Sequence, residues 1–572
     1  MAIWSLVNKG GNFIELGERF SIPPILARII RNRGVVGEEA MQKYLYGTRE
    51  DLYAPGLLKN MTKATSLMRQ YIEQGKKIRI IGDYDVDGIC ATYILMKGLS
   101  ALGADVDYAI PHRIIDGYGI NEHLIDAAHE AGREVLITCD NGIAAGSQIA
   151  YARSLGMSVI VTDHHEVPYE EGPEGIRYIL PEADAVVDPK QPGEEYPNTG
   201  ICGAVVAYKF LQVLCPEKEE LLEDLLEIAA IATVGDVMDL LDENRIIVKE
   251  GLRRLEHTGN RGLMALLSVN GLWGKKLSAY HIGFVIGPCL NATGRLDVAD
   301  TALELLLCND ERQAALLAGQ LKNLNDSRKS MTEQNVAIAV EQLGEQVEDK
   351  VLVVYLPECH ESLAGIIAGR IKERYYRPTF VITKAEQGLK GSGRSIPGYH
   401  MHKALTQVAH LLDKFGGHAM AAGLSLPEEN LDKLRAALNQ NCDMTEEQMQ
   451  KKISIDYPLS YAECSMDFVK ELDLLEPFGN GNVKPVFAQT RIKVLSEKVM
   501  GKNHNVGKYL VQNQQGQRYE MLYFGDLDAF RACYSASNLI KLVFYPSINE
   551  YMGRESVQFI MQEYDACEET KP

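Results

Sequence analysis

The stretch Lys77-Ile-Arg-Ile-Ile-Gly-Asp-Tyr-Asp-Val-Asp-Gly88 decides the fold. It begins as an apolar run without polar alternation, which is typical of a strand buried on both faces of a parallel sheet. Two similar runs follow, Glu134-Val-Leu-Ile-Thr138 and Ser158-Val-Ile-Val-Thr162, and helical patterns at Cys90–Leu102 and Glu122–Ala131 separate the three runs. This βαβαβ rhythm predicts an α/β fold with a doubly wound parallel sheet.

Acidic or imidazole side chains follow each of these predicted strands. The ligand crevice of an open α/β sheet lies outside the carboxyl ends of its strands, so we expect these side chains to converge there. A further Asp follows the apolar helical pattern of Leu221–Leu240 and adds to the set. In chain order the side chains are Asp83, Asp85, Asp87, Asp140, Asp163, His164, His165 and Asp236.

Carboxylates packed this closely repel one another, so the sequence predicts bound cations. Mixed Asp and His ligation favours two divalent ions, Mn²⁺ first and Mg²⁺ as the alternative, which together activate water and clamp a phosphoryl displacement. A lone Asp-x-Asp is often only a turn, and a lone His pair is often structural, but four such clusters in order favour a metal centre. Because no Gly-x-Gly-x-x-Gly and no P-loop follows the first strand, a dinucleotide or nucleoside triphosphate site is excluded.

Length and composition predict a multidomain intracellular chain. At roughly 100–200 residues per domain, 572 residues correspond to three or four domains. A hydrophobic share of 46% excludes wholesale disorder, and the apolar runs fall far short of a membrane span. The 11 cysteines form no Cys-x-x-Cys pair, which argues against a zinc ribbon and fits reduced thiols. With no visible secretory signal, we expect a cytoplasmic protein.

The net charge of -19 is confined to one segment. Residues 101–250 hold 9 Lys and Arg against 29 Asp and Glu, whereas the rest of the chain is almost neutral. An acidic block can be a solvated face or a cation site, and the strand-end motifs favour the cation site. The remaining surface can carry basic patches for an anionic partner.

The second half of the sequence predicts three further regions. Residues 241–340 are dominated by helical patterns, including Thr301–Asn325, and we expect a helical connector. A second α/β domain begins at the apolar runs Val351–Tyr355 and Thr379–Thr383. Beyond Lys451, short strands predict a small OB-like β-barrel, and the acidic last 20 residues suggest a solvated tail. The predicted barrel strands are Arg491–Leu495, Tyr509–Gln512, Tyr519–Phe524 and Ile540–Tyr545.

These motifs resemble the DHH phosphoesterase superfamily and, within it, the RecJ family of bacterial single-strand-specific exonucleases. The strand-end clusters match the motifs of the superfamily, and the resemblance runs in order from roughly residue 70 to residue 490. Segments that resemble the narrower family are Pro111–Arg113, Gly117–Gly119, Pro288–Arg295, Gly365–Arg370, Ser392–Ser395, Gly416–Ala419 and Leu475–Asn482. Departures are Cys289 for the usual Arg, Cys359-His360-Glu361-Ser362 in the associated domain, and Lys502–Asn505 in the barrel; they bear on DNA contacts rather than on the metal site.

The resemblance implies roles for individual residues. The implied metal ligands are Asp85, Asp87, Asp140, His164 and Asp236, with Asp83 as a ligand or a partner of one. These five ligands and His165, which would contact the substrate phosphate or protonate the leaving group, form the implied catalytic set. The implied contacts to the DNA 5′ end and its phosphates are Arg113, Arg295, Arg370, Ser392, Arg394 and His418; Arg370 could instead be a structural ion pair. Tyr118 and Tyr399 are candidates for base stacking.

The resemblance also implies a division of the chain and an activity. The expected regions are an N-terminal extension (1–70), a DHH domain (71–240), a helical connector (241–345), a DHH-associated nucleic-acid-binding domain (346–450) and an OB-like domain (451–572). The implied activity is 5′–3′ exonuclease hydrolysis of single-stranded DNA to mononucleotides, in DNA repair and recombination. Single-strand-binding protein and a helicase are the expected partners of a monomer. A DHH oligonucleotide phosphodiesterase and a non-catalytic replication scaffold remain as alternatives.

Overall fold

The structure, a computed structural model, describes residues 2–112, 119–173, 175–296, 300–501, 504–551 and 553–567, and only the backbone of residues 295, 296 and 551. The chain forms two compact units. One consists of Met1–Leu52, Val237–Glu250 and Lys452–Pro572, and the other of Tyr53–Asp236 and Gly251–Lys451. Among the described helices, none is both long enough and apolar enough to span a bilayer.

The chain begins with a short strand and three helices. The side chain of Asn12 accepts from the N–H of Glu15 and so caps the first helix, and Pro24 occupies the first turn of the second. The buried sides of these helices join the core of the first unit. The elements are β1 (Ile3–Leu6), α1 (Phe13–Phe20), α2 (Pro24–Asn32) and α3 (Glu38–Tyr46).

The next region contains the predicted parallel sheet, and the doubly wound fold is confirmed. Its elements are α4 (Met61–Glu73), β2 (Ile78–Ile81), α5 (Val86–Ala101), β3 (Val106–Ala109), α6 (Glu122–Glu130), β4 (Val135–Cys139), α7 (Gly146–Ser154), β5 (Ser158–Thr162), β6 (Tyr169–Gly172), β7 (Gly175–Tyr178), β8 (Ala185–Val187), α8 (Gly203–Leu214) and α9 (Glu219–Gly235). Five strands pair in parallel in the order β3-β2-β4-β5-β8. The strand order reverses between β2 and β4, which is where such sheets bind ligands.

Burial explains why the central strands form. The side chains of β4 are all buried, and α6 and α7 pack their apolar sides on one face of the sheet. β-branched residues suit a strand that is covered on both faces. The hairpin of β6 and β7 belongs to no larger sheet and is exposed along its whole length.

A helical connector follows the sheet, as predicted. Its elements are α10 (Asp242–Leu255), α11 (Arg261–Val269), α12 (Ala279–His281), a π-helical turn (Ile282–Ile286), α13 (Gly287–Leu296), α14 (Asp300–Leu307) and α15 (Glu311–Leu343). Two helices, α14 and α15, cover the helical pattern predicted at Thr301–Asn325. The side chain of Asp310 accepts from the N–H of Gln313 and caps a new helix at this point.

The second α/β domain has a mixed sheet in the order β12-β13-β11-β10-β9. Only β9 and β10 pair in parallel; the other neighbours are antiparallel. Its elements are β9 (Leu352–Tyr355), α16 (Ala364–Tyr375), β10 (Thr379–Lys384), β11 (Leu389–Arg394), α17 (Met401–Gln407), β12 (Lys414–Gly417), β13 (Ala421–Leu426) and α18 (Leu431–Gln440).

The C-terminal region contains the predicted barrel, closed in the order β15-β16-β17-β19-β18 around an aromatic core. Its elements are β14 (Lys452–Ile455), α19 (Met466–Glu471), β15 (Phe487–Met500), β16 (Val506–Gln512), β17 (Arg518–Tyr523), α20 (Leu527–Ala536), β18 (Ile540–Tyr551) and β19 (Arg554–Ala566). The prediction of a solvated tail is wrong for most of its length. Strand β19 buries Phe559 and Met561 and closes the barrel against β17 and β18.

Arg245 shows how distant stretches of chain combine in the first unit. Its guanidinium donates to the backbone carbonyls of Tyr44, Leu474 and Leu475, and only 1% of the residue is exposed. A buried guanidinium is stable only when its donors are satisfied, and here carbonyls from two other stretches satisfy them. The segment Val237–Glu250 is thereby fixed within this unit.

Candidate metal centre

The loop after β2 holds three carboxylates in different environments. Asp85 caps α5, because its Oδ1 accepts from the N–H groups of Asp87 (3.0 Å) and Gly88 (3.1 Å). Asp83 is fully buried and accepts from the N–H of Gly119 at 3.4 Å. A Cβ on Gly88 would lie 2.6 Å from the backbone of Asp83, so a glycine is needed for the tight approach of loop and helix.

Asp140 follows β4 in a left-handed backbone conformation, with φ 61°. Its neighbour Asn141 connects this turn to β2, since its amide donates to the carbonyl of Ile81 (3.1 Å). The Oδ1 of Asn141 also accepts from the N–H of Ile120 (3.2 Å). A strained backbone that is held in this way is a frequent property of functional sites. The turn places the carboxylate of Asp140 at the point where the strand order reverses.

The three residues of the Asp163-His164-His165 sequence after β5 make different contacts. His164 Nε2 lies 3.1 Å from Asp140 Oδ1, 3.5 Å from Asp87 Oδ2 and 3.6 Å from Asp236 Oδ2. His165 Nδ1 lies 2.8 Å from Asp163 Oδ1 and is therefore fixed in orientation, while its side chain remains 44% exposed. His164 faces the carboxylate cluster, and His165 faces solvent beside it.

Two helix ends position the carboxylates of Asp87 and Asp236. The N-terminus of α8 meets Asp87, whose carboxylate accepts from the N–H groups of Gly203 (2.7 Å) and Ala204 (2.8 Å). A helix N-terminus stabilises such a negative charge. Asp236 stands at the C-terminal end of α9, directly after Gly235. The predicted convergence is therefore present: the strand-end side chains and Asp236 meet at one edge of the sheet.

Burial and mutual repulsion raise the pKa of the clustered carboxyls. Burial, and then the charges of Asp87 and Asp85, raise the pKa of Asp236 to about 8. The same causes raise the pKa of Asp140 well above its usual value, and burial with the charge of Asp85 does so for Asp83. Without a cation the cluster therefore favours protons, so it has the electrostatic character of a cation site.

Asp163 and His165, in contrast, stabilise each other in their charged forms. Burial, the largest single effect, works against the charged imidazole, but the hydrogen bond to Asp163 and the charges of Asp163, Asp236 and Asp87 together raise the pKa of His165 to about 9. Burial, again the largest single effect, would raise the pKa of Asp163, but the hydrogen bond and charge of His165 and the N–H of Ile143 together lower it. A protonated imidazole next to the cluster can donate to an anionic substrate oxygen.

Three groups of side chains have ligand atoms close enough to share an ion, within 4.8 Å of one another. They are Asp83 with Asp85 and Asp140, Asp87 with His164 and Asp236, and Asp140 with His164 and His165. The buried Oδ2 of Asp83 has no hydrogen-bond partner among the described residues, which fits a ligand atom. A set of oxygens with one or two imidazoles suits Mn²⁺ or Mg²⁺.

The sequence interpretation gave no separate role to two residues of this edge. Asp163 accepts from the N–H groups of Ile143 (2.9 Å) and His164 (2.7 Å) besides contacting His165. Asp188 follows β8, is fully buried, and accepts from the N–H of Lys190 at 2.7 Å. Burial, and then the charge of Asp163, raise the pKa of Asp188 to about 7. The rule that strand ends carry function would have identified Asp188 if the edge strand β8 had been predicted.

The predicted nucleic-acid contacts fall into three groups. Arg113 lies outside the described residues, as does Tyr118, and Arg295 belongs to α13, where only its backbone is described. Ser392 and Arg394 share one face of β11, and Arg394 pairs with Ala421 of β13. His418 is exposed in the turn before Ala421, and its N–H donates to the Ala421 carbonyl (2.8 Å), so these residues lie at one end of the sheet.

The other two candidates in this domain differ in exposure. Arg370 is exposed on α16, and its charge lowers the pKa of Arg328 after the larger effect of burial, so two cations lie near each other here. Tyr399 is only 8% exposed and belongs to the core of the second sheet, which leaves no face for a base. The stacking prediction for Tyr399 is therefore wrong.

Comparison with known proteins agrees with this architecture. Family models match in three places: the DHH family N-terminal domain at residues 77–233, the DHHA1 domain at 348–443 and the RecJ OB domain at 455–563. The single-stranded-DNA-specific exonuclease RecJ of Bacillus subtilis is 34% identical, over 96% of this chain and 69% of that protein. Its counterpart in Escherichia coli is 33% identical, over 94% of this chain and 95% of that protein.

Solved structures agree as well. RecJ of Thermus thermophilus in complex with Mn²⁺ superposes with a TM-score of 0.82 at 27% identity, over 99% of this chain and 80% of that one. The Mg²⁺ complex from the same organism gives a TM-score of 0.77 at 26% identity, over 99% of this chain and 79% of that one. With its DHH centre, its second sheet and its closed barrel in the same order, the chain belongs to the RecJ family of single-stranded-DNA-specific exonucleases.

Proposed function

We propose that this chain hydrolyses single-stranded DNA from the 5′ end and releases mononucleotides, using two divalent cations. The observation that carries the proposal is the meeting of His164 with Asp87, Asp140 and Asp236, all within 3.6 Å of its Nε2. So dense a set of carboxylates is stable only around positive charge. In a RecJ family member, that charge serves phosphodiester hydrolysis.

We further propose how the side chains divide between the two ions. One ion would be held by Asp87, His164 and Asp236, and the other by Asp83, Asp85 and Asp140, as the proximity of their ligand atoms suggests. Asp140 belongs to two of the three groups and would serve both positions. Mn²⁺ is the expected ion and Mg²⁺ the alternative, in line with the ions that the two Thermus thermophilus structures contain.

The catalytic steps that this chain's own residues perform follow from their positions. When bound, the two cations supply a nucleophile at neutral pH and positive charge at the reacting phosphate. His165, oriented by the contact between its Nδ1 and Asp163, would donate to a phosphate oxygen or to the leaving oxygen. Asp163 keeps the ring in place through the backbone N–H groups that it accepts, so the donor needs no rearrangement during the reaction.

The strand itself would be held by the second sheet and its surroundings. Ser392, Arg394 and His418 lie at one end of that sheet, and Arg370 stands exposed on the adjoining helix. We propose that these four, with Arg113 and Arg295, bind the DNA 5′ end and its phosphates. The planar guanidinium group meets a phosphate with two parallel hydrogen bonds.

An enzyme of this kind needs a supply of single strands. We propose that a helicase provides them and that single-strand-binding protein covers them, with the chain acting as a cytoplasmic monomer in DNA repair and recombination. The regions proposed for these tasks are 71–240 for catalysis, 241–345 as connector, and 346–450 and 451–572 for the strand, after an N-terminal extension of 1–70.

The test uses purified full-length protein with single-stranded and duplex DNA labelled at either end, in Mn²⁺, Mg²⁺ or EDTA. The proposal predicts early release of labelled mononucleotide from the 5′-labelled single strand and a shortening ladder from the 3′-labelled one. Asp140→Ala should abolish both, while Asp105→Ala, an exposed carboxylate on the opposite edge of the sheet, should not.

Other outcomes would contradict the proposal. Tight binding of single strands without cleavage in any metal would indicate a replication scaffold. Cleavage restricted to di- and trinucleotides would indicate an oligonucleotide phosphodiesterase, and mononucleotides released first from the 3′ end would reverse the polarity.

A further inference from the structure

The connector carries an exposed pair of aromatic side chains. Tyr280 and Phe284 are 62% and 64% exposed, and their rings stack with centroids 4.7 Å apart and planes 23° apart. Single exposed apolar residues are ordinary on protein surfaces, but two large rings that stack on each other in solvent are not. Their outer faces remain available to another planar group.

The helix that carries the pair is locally irregular. Phe284 lies within the π-helical turn Ile282–Ile286, and such turns occur frequently at functional sites. Ile282 and Ile286 in the same turn are almost completely buried, so the turn is anchored on its inner side. The two aromatic rings are therefore held by a fixed backbone rather than by a loose loop.

The same segment contacts both sides of the candidate metal centre. A Cβ on Gly283 would lie 3.6 Å from Val234, two residues before Asp236. Farther along the helix, Asn291 Oδ1 accepts from the N–H of Val86 at 2.7 Å, and Val86 stands between Asp85 and Asp87. The helical segment from Tyr280 to Asn291 thus packs against the segments that carry two of the candidate ligands, Asp236 and Asp85.

The sequence segment that carries the pair is basic. Residues 257–296 contain four Lys and Arg and no Asp or Glu, in a chain whose net charge is -19. A third large aromatic residue of this stretch, Trp273, is 43% exposed. Basic residues interspersed with exposed aromatics are the pattern that single-stranded nucleic acids require, because cations neutralise phosphates while rings stack on bases.

A second exposed aromatic pair provides a contrast. Tyr169 and Tyr178 on the hairpin of β6 and β7 are 54% and 48% exposed and meet edge to face at 6.3 Å. Glu170 and Glu171 lie beside them on the same hairpin and would repel phosphates. This pair is unsuited to a nucleic acid and serves as a matched control.

We propose that Tyr280 and Phe284 form a base-stacking platform for single-stranded DNA next to the metal centre. The inference rests on the proposed single-strand substrate and names a contact that positions this substrate. Stacking on a ring is tolerant of sequence, since every base presents a π-face. The platform would let the enzyme hold any sequence while the terminal linkage is cut.

The test measures binding and cleavage of oligonucleotides by wild type and by Tyr280→Ala/Phe284→Ala. Binding is followed by fluorescence anisotropy in Mg²⁺, with phosphorothioate linkages that slow cleavage and with an abasic site moved along the strand. We expect the variant to bind about tenfold more weakly. The abasic site should weaken wild-type binding most at one or two adjacent positions, and this position dependence should disappear in the variant.

Three controls separate stacking from other effects. Hydrolysis of thymidine 5′-p-nitrophenyl phosphate, which occupies only the metal centre, should be unchanged in the variant. Phe284→Leu keeps an apolar side chain but lacks the π-face, so it should bind as weakly as Phe284→Ala. Tyr169→Ala/Tyr178→Ala should bind DNA as the wild type does.

The outcomes distinguish the inference from the proposed function. Wild-type binding by the variant, or an equal loss at every abasic position, would overturn the platform while leaving the proposed exonuclease activity intact. A wild-type protein that cleaves the nitrophenyl ester but neither binds nor degrades single strands would overturn the proposed function, and the platform with it.

Discussion

The contacts of Asp163 indicate that it orients His165 and does not bind an ion. Its carboxylate accepts from backbone N–H groups and from the imidazole, and it belongs to none of the three potential ligand groups of the described residues. It is therefore a positioning residue. Its hydrogen bond and its charge both raise the pKa of His165.

Asp163→Asn and His165→Gln should therefore be non-additive. Each single variant should lower the rate of single-strand hydrolysis by about 10- to 100-fold, and the double variant should lower it little further, because both changes remove one proton donor. Steady-state kinetics in saturating Mn²⁺ measures the three losses, and calorimetry checks that Mn²⁺ affinity is retained. Losses that multiply in the double variant would contradict the coupling.

The raised pKa of Asp236 makes the metal-free protein sensitive to pH. A carboxyl whose pKa is higher in the folded than in the unfolded protein contributes stability below about pH 4, and this contribution is lost as the pH rises towards 8. In EDTA, Asp236→Asn should thus be more stable than wild type at pH 8, and the difference should shrink at pH 6. Thermal unfolding at both pH values measures the difference. A variant that is less stable than wild type at pH 8 would show that the charged carboxylate of Asp236 does not destabilise the metal-free protein.

At the scale of single elements, the N-terminus of α8 has two tasks. Its first two N–H groups bind the carboxylate of Asp87, and its backbone passes so close to Asp140 that a Cβ on Gly203 would lie 2.7 Å from the Asp140 Cβ. The helix therefore fixes the distance between two proposed ligands. The addition of one methyl group at Gly203 should therefore displace Asp140 from its position in the candidate metal centre.

Gly203→Ala should lower activity by about 10- to 100-fold, since it displaces Asp140 without removing any ligand. Gly146→Ala is the matched control, because Gly146 also opens a helix at the end of a strand loop but has no atom within 4 Å of an added Cβ. Activity and Mn²⁺ affinity are measured for both. Equal behaviour of the two variants would contradict the close approach.

The sequence alone predicted those elements that have a clear local pattern of apolar residues. The strands β2, β4 and β5 are buried β-branched runs, and most of the candidate ligands follow from the rule that strand ends carry function. The edge strands β3 and β8 were missed because Asp107 interrupts the apolar run of β3 and β8 has only three residues. Asp188 was missed with β8. Helix α8 is apolar on all sides, so it has no amphipathic period either.

At the scale of the whole molecule, what could not be predicted depends on contacts between distant residues. Strand β19 is rich in acidic residues and resembles a solvated tail until it pairs with β17 and β18. The segment Val237–Glu250 joins the barrel unit although the sequence places it between two other domains. Nothing in its local pattern shows that the guanidinium of Arg245 binds carbonyls about two hundred residues away on either side.

Arg245→Leu should lower the free energy of unfolding of the barrel unit by about 3 kcal/mol, because three buried carbonyls lose a charged donor. Arg531→Leu, which removes a half-exposed arginine that pairs with Glu497 in the same unit, should lower the stability much less. Urea unfolding followed by tryptophan and far-UV signals measures both. Equal effects of the two substitutions would contradict the role given to Arg245.

The number and position of bound Mn²⁺ ions test the central claim most directly. Anomalous difference density at the manganese edge, from crystals grown with Mn²⁺, should show two peaks at the carboxyl edge of the parallel sheet. One should lie against Asp87, His164 and Asp236, and the other against Asp83, Asp85 and Asp140. A single peak, or two peaks away from these side chains, would contradict the two-ion centre.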